Sequence, residues 1–205
     1  MSDYMENKTR NRIILAITAG IILLAPMAAW ATRADFLSIR QALVQTSSDK
    51  VDSAKMNTKA SIPKDGSGGA FGYGVLTSDT IIVSTTHPGV LDSKTQNGNK
   101  DNPVFHNHYT QLDFPPNPHC GPNPEVVLNT LTFGSPGKLT VGGSNLVQSN
   151  LPKSFEGQTQ TNTLIGPKVV SFELQPIFKN NDPNIQPPEA VCVTNIQPAD
   201  NIVVR

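Results

Sequence analysis

Hydrophobic positions along the chain fall into three regimes. The first is Ile13–Ala31, IILAITAGIILLAPMAAWA, a run without a single charged residue. Lys8, Arg10 and Arg12 precede it, Pro26 interrupts it, and Ala29-Trp30-Ala31 ends it in a small-x-small pattern. A basic flank, an apolar stretch and such an ending are the parts of a secretory signal. The run also nearly reaches the roughly 20 residues of a membrane-spanning helix. Residues 1–31 are therefore expected to be a hydrophobic helix acting as a signal peptide or membrane anchor. Its basic flank comes first, which sends the rest of the chain outward.

The second regime is Arg33–Thr46, where Phe36, Leu37, Ile39, Leu43 and Val44 fall at helix-compatible spacing with no Gly or Pro between them. It predicts an amphipathic helix. From Ser47 to Gly69 the composition turns to Ser, Lys, Asp, Gly and Pro, which predicts a linker or mobile loop. Residues 32–69 then form a helix-and-linker region.

After Gly69 the period becomes two. Strands are predicted over Ala70–Thr77, Thr80–Thr86, Val104–Leu112, Glu125–Phe133, Lys138–Val141, Lys168–Leu174, Ala190–Ile196 and Asn201–Val204. Pro-, Asn- and Gly-rich loops separate them, and no crossover helix is visible between them. That pattern makes residues 70–205 a mainly β domain, an antiparallel β-sandwich or jelly-roll.

Composition narrows the function. Charged residues are 16% of the chain, against roughly 25% in ordinary soluble domains, so Asn, Gln, Ser and Thr carry the polar surface. Formal net charge is zero. A neutral domain has no electrostatic footprint for a phosphate backbone, which argues against nucleic acid as partner. The partners expected are the membrane, through an uncleaved N-terminal segment, and a surface protein or a second copy of the chain. The chain is expected to be secreted or anchored to the outer face of a membrane.

Cys120 and Cys192 are the two cysteines. In an exported domain they are expected to form one disulfide. Closing a loop of about 70 residues stabilises by roughly 4 kcal/mol in the chain-entropy account. The alternative is a thiolate copper ligand at Cys120, since His119 adjoins it, but no methionine follows Met56 to complete such a site.

The four histidines are His87, His106, His108 and His119. His106 and His108 stand two apart in a predicted strand, so both point to one face. Two imidazoles so placed bite a single divalent ion, copper or zinc. His87 ends the preceding predicted strand and supplies a third nitrogen if the two strands are neighbours. Asp113, Glu173 or His119 is the candidate fourth ligand. The competing reading is that of alternate polar residues which an antiparallel sheet shows to water. The His-x-His strand resembles those of Cu/Zn superoxide dismutase and of the extracellular CHRD modules, both β-folds. The resemblance rests on three residues, and the dismutase carries a larger ligand set.

No other motif carries chemistry. Gly66-Ser67-Gly68-Gly69 lacks the Lys-Ser/Thr ending of a phosphate loop, and no Gly-x-Ser-x-Gly elbow occurs. Glu125, Glu156, Glu173 and Glu189 are scattered singly, and the one tryptophan, Trp30, lies in the apolar segment. Three readings remain: an exported surface protein with a structural or binding role, a copper or zinc module, and a metalloenzyme at the same histidines.

Overall fold

The computed structural model describes residues 34–77, 80–113, 118–120, 126–160 and 168–205. The apolar segment Ile13–Ala31 lies outside the described residues, as do most of 114–125. Asp35–Arg205 form one compact unit. It is mainly β, built from two sheets and a small hairpin. Among the described residues no helix is long and apolar enough to cross a membrane.

The first sheet contains β1 (Ile39–Ser47), β2 (Lys50–Thr58), β7 (Lys138–Gly142), β8 (Asn145–Ser149) and β13 (Ile202–Val204), in the order β13-β1-β2-β8-β7. Ser48 and Asp49, both at positive φ (48° and 60°), turn β1 into β2. Two successive left-handed residues match the twist of the strands they join. β13 pairs with β1 in parallel, Leu43 opposite Val203, a departure from the antiparallel pairing expected throughout.

This sheet corrects two expectations. Residues 33–46 are not a helix: a single 3-10 turn, Asp35–Leu37, precedes strand β1. The reason is a bulge. The β1–β2 register slips between Ile39 and Gln41, so the buried positions are Ile39, Ala42 and Val44. An inserted residue turns a spacing of two into a spacing of three, which imitates one turn of helix. The supposed linker holds β2, with Val51, Ala54, Met56 and Thr58 buried. Small and polar residues between these concealed the alternation.

The second sheet contains β3 (Phe71–Leu76), β4 (Ile81–Thr86), β5 (His106–Asp113), β6 (Val126–Leu131), β11 (Lys168–Ile177) and β12 (Ala190–Pro198). Its order is β11-β12-β6-β5-β4-β3, and β11 pairs again with β3, so the sheet curls until it closes. β9 (Ser154–Phe155) and β10 (Gln158–Thr159) form the hairpin.

Curling gives the second sheet an inside and an outside. Register places Val83 opposite His108, Thr85 opposite His106 and Gly72 opposite both Thr85 and Phe172. These residues, with Val170 and Val193, face inward, and Val83, Val170, Phe172 and Val193 form a buried cluster. A Cβ on Gly72 would lie 2.7 Å from the Phe172 ring and 2.8 Å from Ser84 O, so only glycine lets the ring cross there. Tyr73, Val75, Ile82 and Tyr109 alternate with the inward set and are fully buried. Several polar groups on this outer side are paired, while Gln148 Oε1 has no partner. Gln148 Nε2 of β8 donates to Ser84 Oγ at 2.7 Å, and Ser84 donates to Asn107 Oδ1 at 2.6 Å. Tyr73 Oη donates to Phe36 O at 2.6 Å.

Candidate metal centre

Antiparallel pairing of β4 and β5 decides the site. It puts His106 and His108 on the inner face and brings the end of β4 alongside the start of β5. His87 follows β4 directly. The loop after it returns Asp92 to the same spot, and His87, Asp92, His106 and His108 each offer one ligand atom within 4.8 Å of the others. All three rings are buried: His106 is 0%, His108 2% and His87 4% exposed.

The loop is held by its own side chains. Ser93 and Gln96 form a capping box at the 3-10 turn Lys94–Gln96. Gln96 Oε1 accepts from the backbone N–H of Asp92 and of Ser93, each at 3.0 Å. Its Nε2 donates to Val90 O at 2.7 Å. Gln96, wholly buried, thus fixes the backbone on both sides of Leu91 and aims Asp92 inward.

The tautomers follow from the outer nitrogens. His106 Nδ1 lies 2.8 Å from Val104 O, and His108 Nδ1 lies 2.6 Å from Thr132 O. A carbonyl only accepts, so each Nδ1 carries the proton and each Nε2 is left with a lone pair. Backbone carbonyls that orient imidazoles in this way are the usual outer partners of metal-bound histidines.

The Nε2 atoms of His106 and His108 converge with Nε2 of His87, whose Nδ1 has no partner. His87 Nε2 is 3.0 Å from Asp92 Oδ2 and 3.2 Å from His106 Nε2; His106 Nε2 is 3.1 Å from Asp92 Oδ1; His108 Nε2 is 3.5 Å from Asp92 Oδ2. Despite these distances neither His108 Nε2 nor Asp92 Oδ1 has a hydrogen-bond partner. Ligands around a tetrahedral ion with bonds of about 2.0–2.1 Å stand roughly 3.3–3.4 Å apart. The three imidazole–Asp92 contacts and the His87–His106 contact bracket that value, and the whole set of ligand atoms spans no more than 4.8 Å. Burial pushes the Asp92 carboxyl up, while the imidazoles of His106, His108 and His87, where their inward nitrogens hold protons, draw it well below the usual carboxylate range.

No family model, curated protein or solved structure matches the chain.

Three of the four histidines singled out in the sequence meet here, and the fourth does not. His119 is 41% exposed in its side chain, with Nδ1 3.8 Å from Glu189 Oε2. Its neighbour Cys120 is bonded to Cys192, with 5.6 Å between the Cα atoms, so the thiolate reading of Cys120 falls away. Glu173 accepts from Asn195 Nδ2 at 2.6 Å, away from the cluster. The side chain of Asp113 lies outside the described residues. The carboxylate of the cluster is Asp92, which the sequence reading passed over. The available signal was Ser93-x-x-Gln96, a capping box that marks an ordered turn beside it.

A donor set of three imidazoles and one carboxylate, without thiolate, suits Zn(II) and Cu(II). His87, Asp92 and His108 also stand in the wall of a cavity of about 430 Å³, so the centre is not sealed on every side.

Proposed function

We propose that the folded unit is an exported metal-binding module holding one divalent zinc or copper ion on His87, Asp92, His106 and His108. The observation that carries this is the convergence of imidazole nitrogens, two with outward-tied Nδ1 atoms, on one buried carboxylate. Lone pairs packed this closely repel unless a cation or protons lie between them. A divalent ion satisfies all four groups at once. A surface-binding role alone gives no reason for burying them together.

Export is supported by the apolar segment with its basic flank, and the Cys120–Cys192 disulfide is compatible with an oxidising location. The test is elemental analysis of the full chain, purified from its native compartment without a polyhistidine tag. About one zinc or copper per chain is expected. A metal-free protein that takes up neither ion at micromolar concentration would falsify the reading.

A further inference from the structure

The cavity beside the cluster has a composition that specifies what it takes. Its inner wall is made by Val83, Val90, Leu128, Leu131, Phe172 and Leu174, side chains from several strands of the closed sheet and from the Asp92 loop. The ionisable groups in the wall are His87, Asp92 and His108 of the cluster and Glu189, which faces His119 at 3.8 Å. The Thr85 hydroxyl lies 3.3 Å from His106 Nε2, and the Thr110 hydroxyl donates to Thr130 O, so both are already engaged. A molecule entering this space meets mainly apolar surface, with the cluster as its buried ionisable feature and Asn129 and Glu189 as further polar groups of the wall. About 430 Å³ falls in the range of small-molecule sites.

Charge completes the specification. A divalent ion with three neutral imidazoles and one carboxylate keeps one net positive charge in surroundings of low polarity. An anionic oxygen donor on the incoming molecule cancels it as a fifth ligand, added on the side where His87, Asp92 and His108 face the cavity. From this geometry we infer that the metal centre binds a small monoanionic ligand, a carboxylate or phenolate on an apolar body, with its oxygen on the metal and its body in the cavity. The inference rests on the metal reading above and adds a ligand to it.

The experiment uses the Cu(II)-loaded full chain, with copper content measured first. 3-Phenylpropionate is titrated against acetate and 3-phenyl-1-propanol, and the copper electron paramagnetic resonance spectrum is followed. Expected is a spectral shift with 3-phenylpropionate at a concentration at least about tenfold below that needed with acetate. The alcohol, which brings the body without the charge, should leave the spectrum unchanged at the same concentrations. Phe133 lines the cavity and is 45% exposed, so replacing it does not threaten the core. Phe133→Glu puts a negative charge in the wall; it should weaken 3-phenylpropionate about tenfold and leave copper affinity unaltered. Copper-loaded protein that gives no shift, or responds equally to acetate and 3-phenylpropionate, overturns the ligand and leaves the metal site standing. A chain that binds no copper or zinc overturns both.

Discussion

His106 Nε2 lies 3.2 Å from His87 Nε2, across the gap between the start of β5 and the residue after β4. The His106 nitrogen has no proton to share, because its ring donates from Nδ1 to Val104 O. The lone pair at His106 Nε2 is met by a proton on His87 Nε2, whose Nδ1 has no partner, or, in the proposed reading, by a cation between the two rings and the Asp92 carboxylate. That relationship, more than the His-x-His spacing, defines the centre.

Removing one ligand should cost more than disturbing an outer partner, which typically lowers metal affinity about 10- to 100-fold. Asp92→Ala and His106→Ala are each expected to weaken zinc or copper binding at least about 100-fold in calorimetric titration. His119→Ala should bind as tightly as the parent, since His119 is paired with Glu189 outside the cluster. Equal losses in all three would place the ion elsewhere.

Gln96 acts through the loop and is not one of the candidate ligands. Gln96→Ala removes the acceptor for Asp92 N–H and Ser93 N–H and the donor to Val90 O. Metal affinity should fall about 10- to 100-fold, with the overall fold retained in circular dichroism. Gln96→Glu keeps both accepted bonds and should recover a large part of the loss. An unchanged metal affinity in Gln96→Ala would show that the Asp92 loop is held by other contacts.

Tyr109 predicts the alkaline limb of stability. Burial raises its hydroxyl pKa to about 12, against a smaller opposite effect from Gln160; Tyr73 is raised as well, through burial. An unfolded tyrosine ionises near about 10. Below that pH both states hold the proton and stability is intact. Between about 10 and 12 only the unfolded chain loses it, so stability falls as pH rises. Urea midpoints should hold to about pH 9.5 and decline above it, less steeply in Tyr109→Phe. At neutral pH that variant loses bonds to Pro152 O and Gln160, which costs about 1–2 kcal/mol. A midpoint rising between pH 10 and 11 contradicts the burial of these hydroxyls.

Cys120 and Cys192 are 72 residues apart, and their bond ties a segment beyond β5 to the middle of β12. Replacing both with serine should lower stability by roughly 4 kcal/mol in the chain-entropy account. Thiol labelling of the denatured, unreduced parent should find no free cysteine. Metal stoichiometry should survive the replacement, because neither sulfur belongs to the cluster. Loss of bound metal in the serine variant would tie the two features together.

Much of the strand framework was legible in residues alone. β3 through β7 and β11 through β13 sit where alternation and turn residues placed them, within a few positions at each end. β1 was not legible, because its bulge at Ile39–Gln41 breaks the period of two on which strand reading depends. β2 and β8 failed for another cause: polar and small residues make up much of both, and only pairing with each other and with neighbours gives Val51, Met56 and Leu146 a core to enter.

The sequence by itself determined that His106 and His108 share a face, because a strand alternates whatever it packs against. It also determined that two cysteines were available to pair and that the chain was mainly β. Tertiary structure alone decided which face the histidines take and what meets them there. Pairing β4 with β5 joins His87 to His106 across 19 residues, and closing β3 onto β11 turns their common face into an enclosed interior. Asp92 reaches that interior through a loop whose path is set by Gln96. Contacts of this kind depend on register and closure, which arise between segments distant in the chain and leave no period in either one.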